Sequence, residues 1–131
     1  PAAITERASE MLGGGAGLTP EGDDRLMGAV AAFRHEAGSL GRPATATVLD
    51  QTSGELVALA RSSTTRLSTT LLRHALVGAV AAPVGDLLQA LTGRGELASA
   101  LDGCLAIGSS SGHALAEGVV SGAQAACEVA A

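Results

Sequence analysis

Apolar side chains recur at every third or fourth position along most of this chain, and glycine clusters cut the pattern into short pieces. Ile4, Ala8, Met11 and Leu12 follow it, as do Leu26, Val30 and Phe33. A longer stripe runs through Leu67, Leu71, Leu72, Ala75, Leu76 and Ala79, and Val84, Leu87, Leu88 and Leu91 follow Pro83. Leu97, Leu101, Cys104 and Leu105 make another, and Leu115, Val119, Ala123, Ala126 and Cys127 the last. Such spacing lines up one face of an α-helix, whereas a half-buried strand needs strict alternation. Breaks fall at residues 13–17, 38–42, 61–64, 93–95 and 108–112. The pattern predicts an all-α chain: a compact bundle of about six to seven short helices, with Gly-, Ser- and Thr-rich loops at helix N-termini. Residues 45–60 fit least well. There Thr45-Ala46-Thr47-Val48 can be extended, and Gly54 is expected to interrupt a helix.

The side chains available to such a core are small. Phe33 is the one aromatic in 131 residues, which fit a single domain spanning 1–131. Ala, Gly, Leu and Val dominate, so helices can approach closely. All eight basic residues are Arg, and the net charge is −5. Without Lys there is no Schiff-base chemistry and no phosphate-loop lysine. Without a basic block or stacking aromatics, nucleic-acid binding is not expected. Cys104 and Cys127 sit at apolar positions and read as buried free thiols. The apolar run between His74 and Asp86 is too short to span a membrane and contains Pro83. With no signal pattern at the N-terminus, the expected location is cytoplasmic.

Three loops stand out. In the first, Gly13-Gly14-Gly15-Ala16-Gly17 leads through Leu18 into Thr19-Pro20-Glu21-Gly22-Asp23-Asp24. Thr before Pro reads as an N-cap followed by the first helical residue. A helix start leaves N–H groups free and carries partial positive charge, a ready site for an anion. Here, however, acids fill the first turn. They either complement the helix dipole or hold an N–H-bearing or cationic group. Adjacent carboxylates project about 100° apart on a helix, so they do not form one chelating pair.

The second loop, Arg61 to Thr70, carries seven hydroxyls in ten residues and two guanidinium groups. It reads either as a capped helix with a solvated hydroxyl face or as a site for phosphate or carboxylate. The third, Gly108-Ser109-Ser110-Ser111-Gly112-His113, again leads small residues into a helix. His113 could serve as an acid or base, but a lone His at an exposed helix start is more often polar surface, and His35 and His74 have no sequence partner. Gly22 and Gly28 are six apart, as are Gly112 and Gly118, a weak internal echo. Packed helices can bring several N-termini to one end. The candidate catalytic residues are then Asp23 and Asp24. The candidate ligand-binding residues are Gly17, Thr19, Gly22, Thr64, Thr65, Arg66, Ser68, Ser110, Ser111 and Gly112.

These elements resemble a known family. Gly15-Ala16-Gly17-Leu18-Thr19-Pro20-Glu21-Gly22-Asp23-Asp24 is similar to its G-x-G-L-T-P-S-G-D-D signature. Thr64-Thr65-Arg66-Leu67-Ser68 resembles its T-T-x-x-S element, and Ile107-Gly108-Ser109-Ser110-Ser111-Gly112 its I-G-x-[ST]-S-G element. The family contains the AllH-type subunit of oxamate carbamoyltransferase, from anaerobic breakdown of allantoin and purine ureides. The resemblance implies companion subunits of the FdrA/AllF and AllG types and an oligomeric assembly. It also implies conversion of oxalurate and phosphate to oxamate and carbamoyl phosphate. Two residues depart from the family pattern: Glu21 replaces a usual Ser, and Ala114 stands where an Asp often follows. Family members are about twice as long, so the chain is expected to correspond to their C-terminal half.

A carbamoyltransferase subunit is thus the leading expectation. It would take a small anionic ligand of the carbamoyl phosphate, oxamate or oxalurate class. Asp23 and Asp24 would hold the N–H side, and the hydroxyls would hold the anionic side. No cofactor is expected, magnesium being the one metal the aspartates could recruit. The alternatives are a metal-assisted hydrolase using Asp23 and Asp24, and a non-catalytic helical assembly domain.

Overall fold

A computed structural model describes residues 2–15 and 18–130. They form α1 (Ala2–Met11), α2 (Glu21–Ser39), α3 (Pro43–Ser63), α4 (Arg66–Leu76), α5 (Ala82–Leu91), α6 (Leu97–Leu105) and α7 (Ser111–Ala130). Among the described residues there is no strand, so the chain is an all-α bundle. Pro43 and Pro83 lie in the first helical positions of α3 and α5, where a missing N–H costs nothing. Positive-φ glycines at 41, 78, 93, 95 and 108 lie in the turns between helices.

The 45–60 region departs from expectation. It is one unbroken helix within α3. Thr47 donates to Pro43 O (2.9 Å), Thr52 to Val48 O (2.9 Å) and Ser53 to Leu49 O (2.8 Å), so the hydroxyls fold back on their own helix. Leu49, Leu56 and Ala60 bury one face, and that packing outweighs weak local propensity. Gly54 lies on the open side, where an added Cβ would meet nothing within 4 Å.

α2 is the central helix. It packs on α1, α3, α4, α5 and most extensively on α7, while α6 rests on α5 and α7. Gly118 faces Arg25 and Gly122 faces Ala29, so α2 and α7 run side by side in the same direction. A Cβ at 118 would stand 2.9 Å from Arg25 Cα and nearer still to its carbonyl oxygen. A Cβ at 28 would stand 2.9 Å from Val119 N and nearer still to Leu115 O. Arg25 and Gly28 are three residues apart, as are Leu115 and Gly118, so the two helices make the same contact in exchange. The six-residue glycine echo has a structural counterpart. Gly22 packs on the carbonyl of Met11 at the end of α1, and Gly112 on that of Cys104 near the end of α6.

Two apolar clusters flank α2. One joins Leu26, Val30 and Phe33 to Leu49, Leu56, Leu72 and Leu76. The other joins Ala31 and Ala32 to Val84, Leu87, Leu88, Cys104 and Val119. A fully buried Leu such as Leu56 or Leu72 contributes about 2–3 kcal/mol. Cys104 is buried as expected, and burial pushes its thiol pKa up. Cys127 is not buried. It is exposed on α7, bordering a groove with Leu40, Leu91 and Val120 that no described helix covers.

Because α2 and α7 are parallel, their N-termini lie at the same end of the bundle. The α4 N-terminus joins them there through contacts described next.

Candidate functional site

The first of the three loops singled out in the sequence touches the other two. Gly13 adopts φ +80, and its N–H donates to Asp23 Oδ1 (2.8 Å). The Thr64 hydroxyl donates to Asp23 Oδ2. Asp23 is 2% exposed, so its carboxylate is spent on joining the first loop to the second. Thr65 caps α4 by accepting from Ser68 N (3.1 Å), and its hydroxyl donates to Leu18 O (2.6 Å). Ser68 Oγ reaches the same carbonyl at 3.4 Å. Thr19 Oγ1 lies 3.4 Å from Ser111 Oγ, which joins the first loop to the third.

Two local details differ from the sequence reading. Pro20, not Thr19, occupies the N-cap position of α2, and it has no side-chain cap bond. The Pro20 carbonyl accepts from both Asp23 N and Asp24 N, which leaves the Thr19 hydroxyl free to face α7. Several helix-start N–H groups are also already used. Gly22 N donates to Gly14 O (2.9 Å) and Gly112 N to Ile107 O (2.9 Å). Both glycines are required by close packing, since a Cβ at either would collide with backbone.

Asp24 differs from its neighbour. It is 3% exposed, and its Oδ2 has no hydrogen-bond partner. It lines a cavity of about 240 Å³ between α2, α4, α5 and α7, together with Thr19, Met27, Leu71, Val84, Ile107, Ser111 and Leu115. Burial raises the Asp24 pKa above the ordinary carboxylate range. A hydrogen bond from Ser111 opposes that rise, and Asp23 and Glu21 reinforce it. A buried polar atom left unpaired costs about 1–3 kcal/mol, so this one disfavours folding.

The pH consequence has a definite sign. Because the folded-state pKa is raised, the stabilising contribution is complete below the unfolded value and is lost as pH rises through the folded value. Asp24→Asn should therefore raise stability by about 1 kcal/mol at pH 7. The gain should fade as the wild-type carboxyl protonates on acidification. Urea midpoints at several pH values check this; a gain that persists unchanged in acid would exclude a charged Asp24 as its source.

Ser110 lies elsewhere, in a shallow groove with Glu21, Arg25, His113 and Glu117. Arg25 bonds Glu117 (2.8 Å) and reaches Glu21 (3.5 Å), so Glu21 is held in an ion-pair network at this rim. Arg66 is exposed on the first turn of α4 and lines neither space. Gly17 lies outside the described residues. His35 lies 3.2 Å from Thr92 Oγ1, and His74 is exposed near the end of α4. The sequence reading did not anticipate Met27, Leu71, Val84, Ile107 or Leu115 as cavity walls. Leu71, Val84 and Leu115 show only apolar periodicity, which does not separate a cavity wall from a filled core, and Ile107 shows only its place at the head of the third loop's motif. Arg25 as a partner of Glu117 was likewise unreadable across 92 positions.

Among the described residues no three His, Cys, Asp or Glu side chains gather as a metal site. No described helix is long and apolar enough to cross a membrane. The family profile described as oxamate carbamoyltransferase subunit AllH matches residues 11–123. No curated protein and no solved structure matches the chain.

Proposed function

The chain belongs to the AllH family, and we propose that it serves as the AllH-type subunit of a carbamoyltransferase. In this reading it works in an oligomer with FdrA/AllF-type and AllG-type subunits in the cytoplasm. The assembly converts oxalurate and phosphate to oxamate and carbamoyl phosphate in the breakdown of purine-derived ureides. Phosphate oxygen attacks the carbamoyl carbon, and the bond to the oxamate nitrogen breaks. That nitrogen takes up the proton that hydrogen phosphate brings, so oxamate leaves as the neutral amide. No covalent nucleophile is needed, because positioning and electrostatic stabilisation can carry such a transfer.

The observation that carries the reading is Asp24: a buried carboxylate with an unpartnered oxygen, on a residue that lines a cavity together with Thr19 and Ser111. A core built only for stability has no use for it. Asp23, Thr64, Thr65 and Ser68 support the site by fastening its loops. In this assignment Asp24 touches the ligand and Asp23 positions the wall that carries it.

Reconstitution tests the proposal. The chain is combined with companion subunits, and carbamoyl phosphate formation from oxalurate and phosphate is measured. Turnover should require all components, and Asp24→Ala in the folded chain should reduce it by about a hundredfold or more, the scale of one lost positioned contact at a reacting group. Assembly with full turnover in the absence of this chain would sink the proposal. Undiminished turnover with Asp24→Ala would remove Asp24 from it and favour a purely architectural role.

A further inference from the structure

We propose that the cavity beside Asp24 receives the uncharged carboxamide end of a small ligand, the Asp24 carboxylate accepting its N–H, while any anionic group of that ligand stays at the rim. This rests on the carbamoyltransferase reading for the identity of the ligand, but not for its chemical class or orientation.

Met27, Leu71, Val84, Ile107 and Leu115 make the walls apolar, with Thr19, Asp24 and Ser111 as polar points. A full charge entering such a space loses its hydration with little return. An anion also meets like charge, because Asp23 and Asp24 are adjacent and both buried, with Glu21 one turn away. Carboxylate and phosphate groups are thereby excluded from the interior. A primary amide is not: it is neutral, small enough for about 240 Å³, and brings an N–H to a carboxylate that is not fully partnered. The raised pKa of Asp24 has the same origin, since burial leaves the carboxylate under-solvated.

Orientation follows from what lies outside. The hydroxyls of Thr64, Thr65 and Ser68 donate to Asp23 and to Leu18 O, so they do not form an anion cradle inside the cavity. The anionic end of an oxamate-like ligand is left pointing outward, toward whatever a companion subunit supplies.

The test is a titration of the 131-residue chain, followed through methyl resonances of Val84, Ile107 and Leu115 in heteronuclear spectra. Four probes are compared: oxamate, acetamide, oxalate and methylammonium. Oxamate and acetamide should shift these methyls and compete with each other. Oxalate, which replaces the amide of oxamate with a second carboxylate, should leave them unmoved. Asp24→Ala, checked for native helix content and cooperative melting, should weaken acetamide by about tenfold, the scale of one lost hydrogen bond. Equal shifts from oxalate, preference for methylammonium, or no response to either carboxamide would overturn the inference. The wild-type comparison decides even if the variant fails to fold. Acetamide binding without binding of oxamate would support the carboxamide site while rejecting the oxamate-based reading. Turnover in the reconstituted enzyme with methyls that ignore every carboxamide would do the reverse.

Discussion

Gly118→Ala should lower the unfolding free energy by about 3 kcal/mol or more, and Gly28→Ala should behave in the same way. The added methyl group at 118 would lie 2.9 Å from Arg25 Cα and closer to its carbonyl oxygen; at 28 it would lie 2.9 Å from Val119 N. Both obstacles are backbone inside helices, which cannot rotate aside as a flexible side chain can. The only relief is to separate α2 from α7, and that separation loosens both apolar clusters flanking α2. Overpacking typically costs about 1–3 kcal/mol, and rigid backbone obstacles place these variants at or above the upper end. Domains of this kind are stable by about 5–15 kcal/mol, so one such change removes a large share. Gly54→Ala is the internal control. Its Cβ meets nothing within 4 Å, and alanine should add about 0.5–1 kcal/mol through helix propensity. Urea unfolding followed by circular dichroism measures all three. A wild-type midpoint for Gly118→Ala would mean that α2 and α7 are not packed through this seam.

Asp23→Ala should be the next most damaging change, at about 3 kcal/mol or more. It deletes two hydrogen bonds to a buried carboxylate, each worth about 1.5–3 kcal/mol, and leaves the Gly13 N–H and the Thr64 hydroxyl without an acceptor. Asp23→Asn should cost less. Its amide oxygen can still accept from Gly13, and the Thr64 hydroxyl can turn to accept from the amide nitrogen. Asp23→Ala and Thr64→Val should be non-additive, since both break one contact. The local readout is hydrogen exchange at the Gly13 amide, which should accelerate in Asp23→Ala well before the helices open. If Asp23→Ala unfolds with the wild type and the Gly13 amide stays protected, the carboxylate is not the fastener and is free for a ligand. The neighbouring aspartate predicts the opposite sign, because Asp24 lacks a partner that Asp23 has. Adjacent residues of identical chemistry thus separate into one that holds the fold and one that burdens it.

Helix identity was readable from residues because it depends on local periodicity. The Leu26–Val30–Phe33 spacing and the Val84–Leu87–Leu88 spacing both mark buried faces. The exception is instructive. Thr45 to Val48 carries weak helix formers, yet Leu49, Leu56 and Ala60 bury one face of α3 and hold it helical. Other limits have the same source. Leu97 and Leu101 continue an apolar stripe but remain 49% and 37% exposed, and Cys127 is exposed at the end of another. Periodicity identifies a face; it does not say that something covers it.

The three hydroxyl- and glycine-rich loops were visible in the sequence as separate helix starts, because turn chemistry is local. Tertiary structure alone decided how they meet: the parallel α2–α7 seam sets two N-termini together, and Thr65 and Ser68 bring α4 against Leu18. It also decided which side chains are already spent on fastening loops, which the sequence could not disclose because Asp23 and Thr19 meet partners 10 to 92 positions away. Residue order alone carried a set of helices with small-residue contacts and an AllH-like order of motifs. Long-range packing determined that Asp23 is satisfied and Asp24 is not. A carboxylate's role follows from the atoms within hydrogen-bonding reach, and that distance is a property of the folded chain.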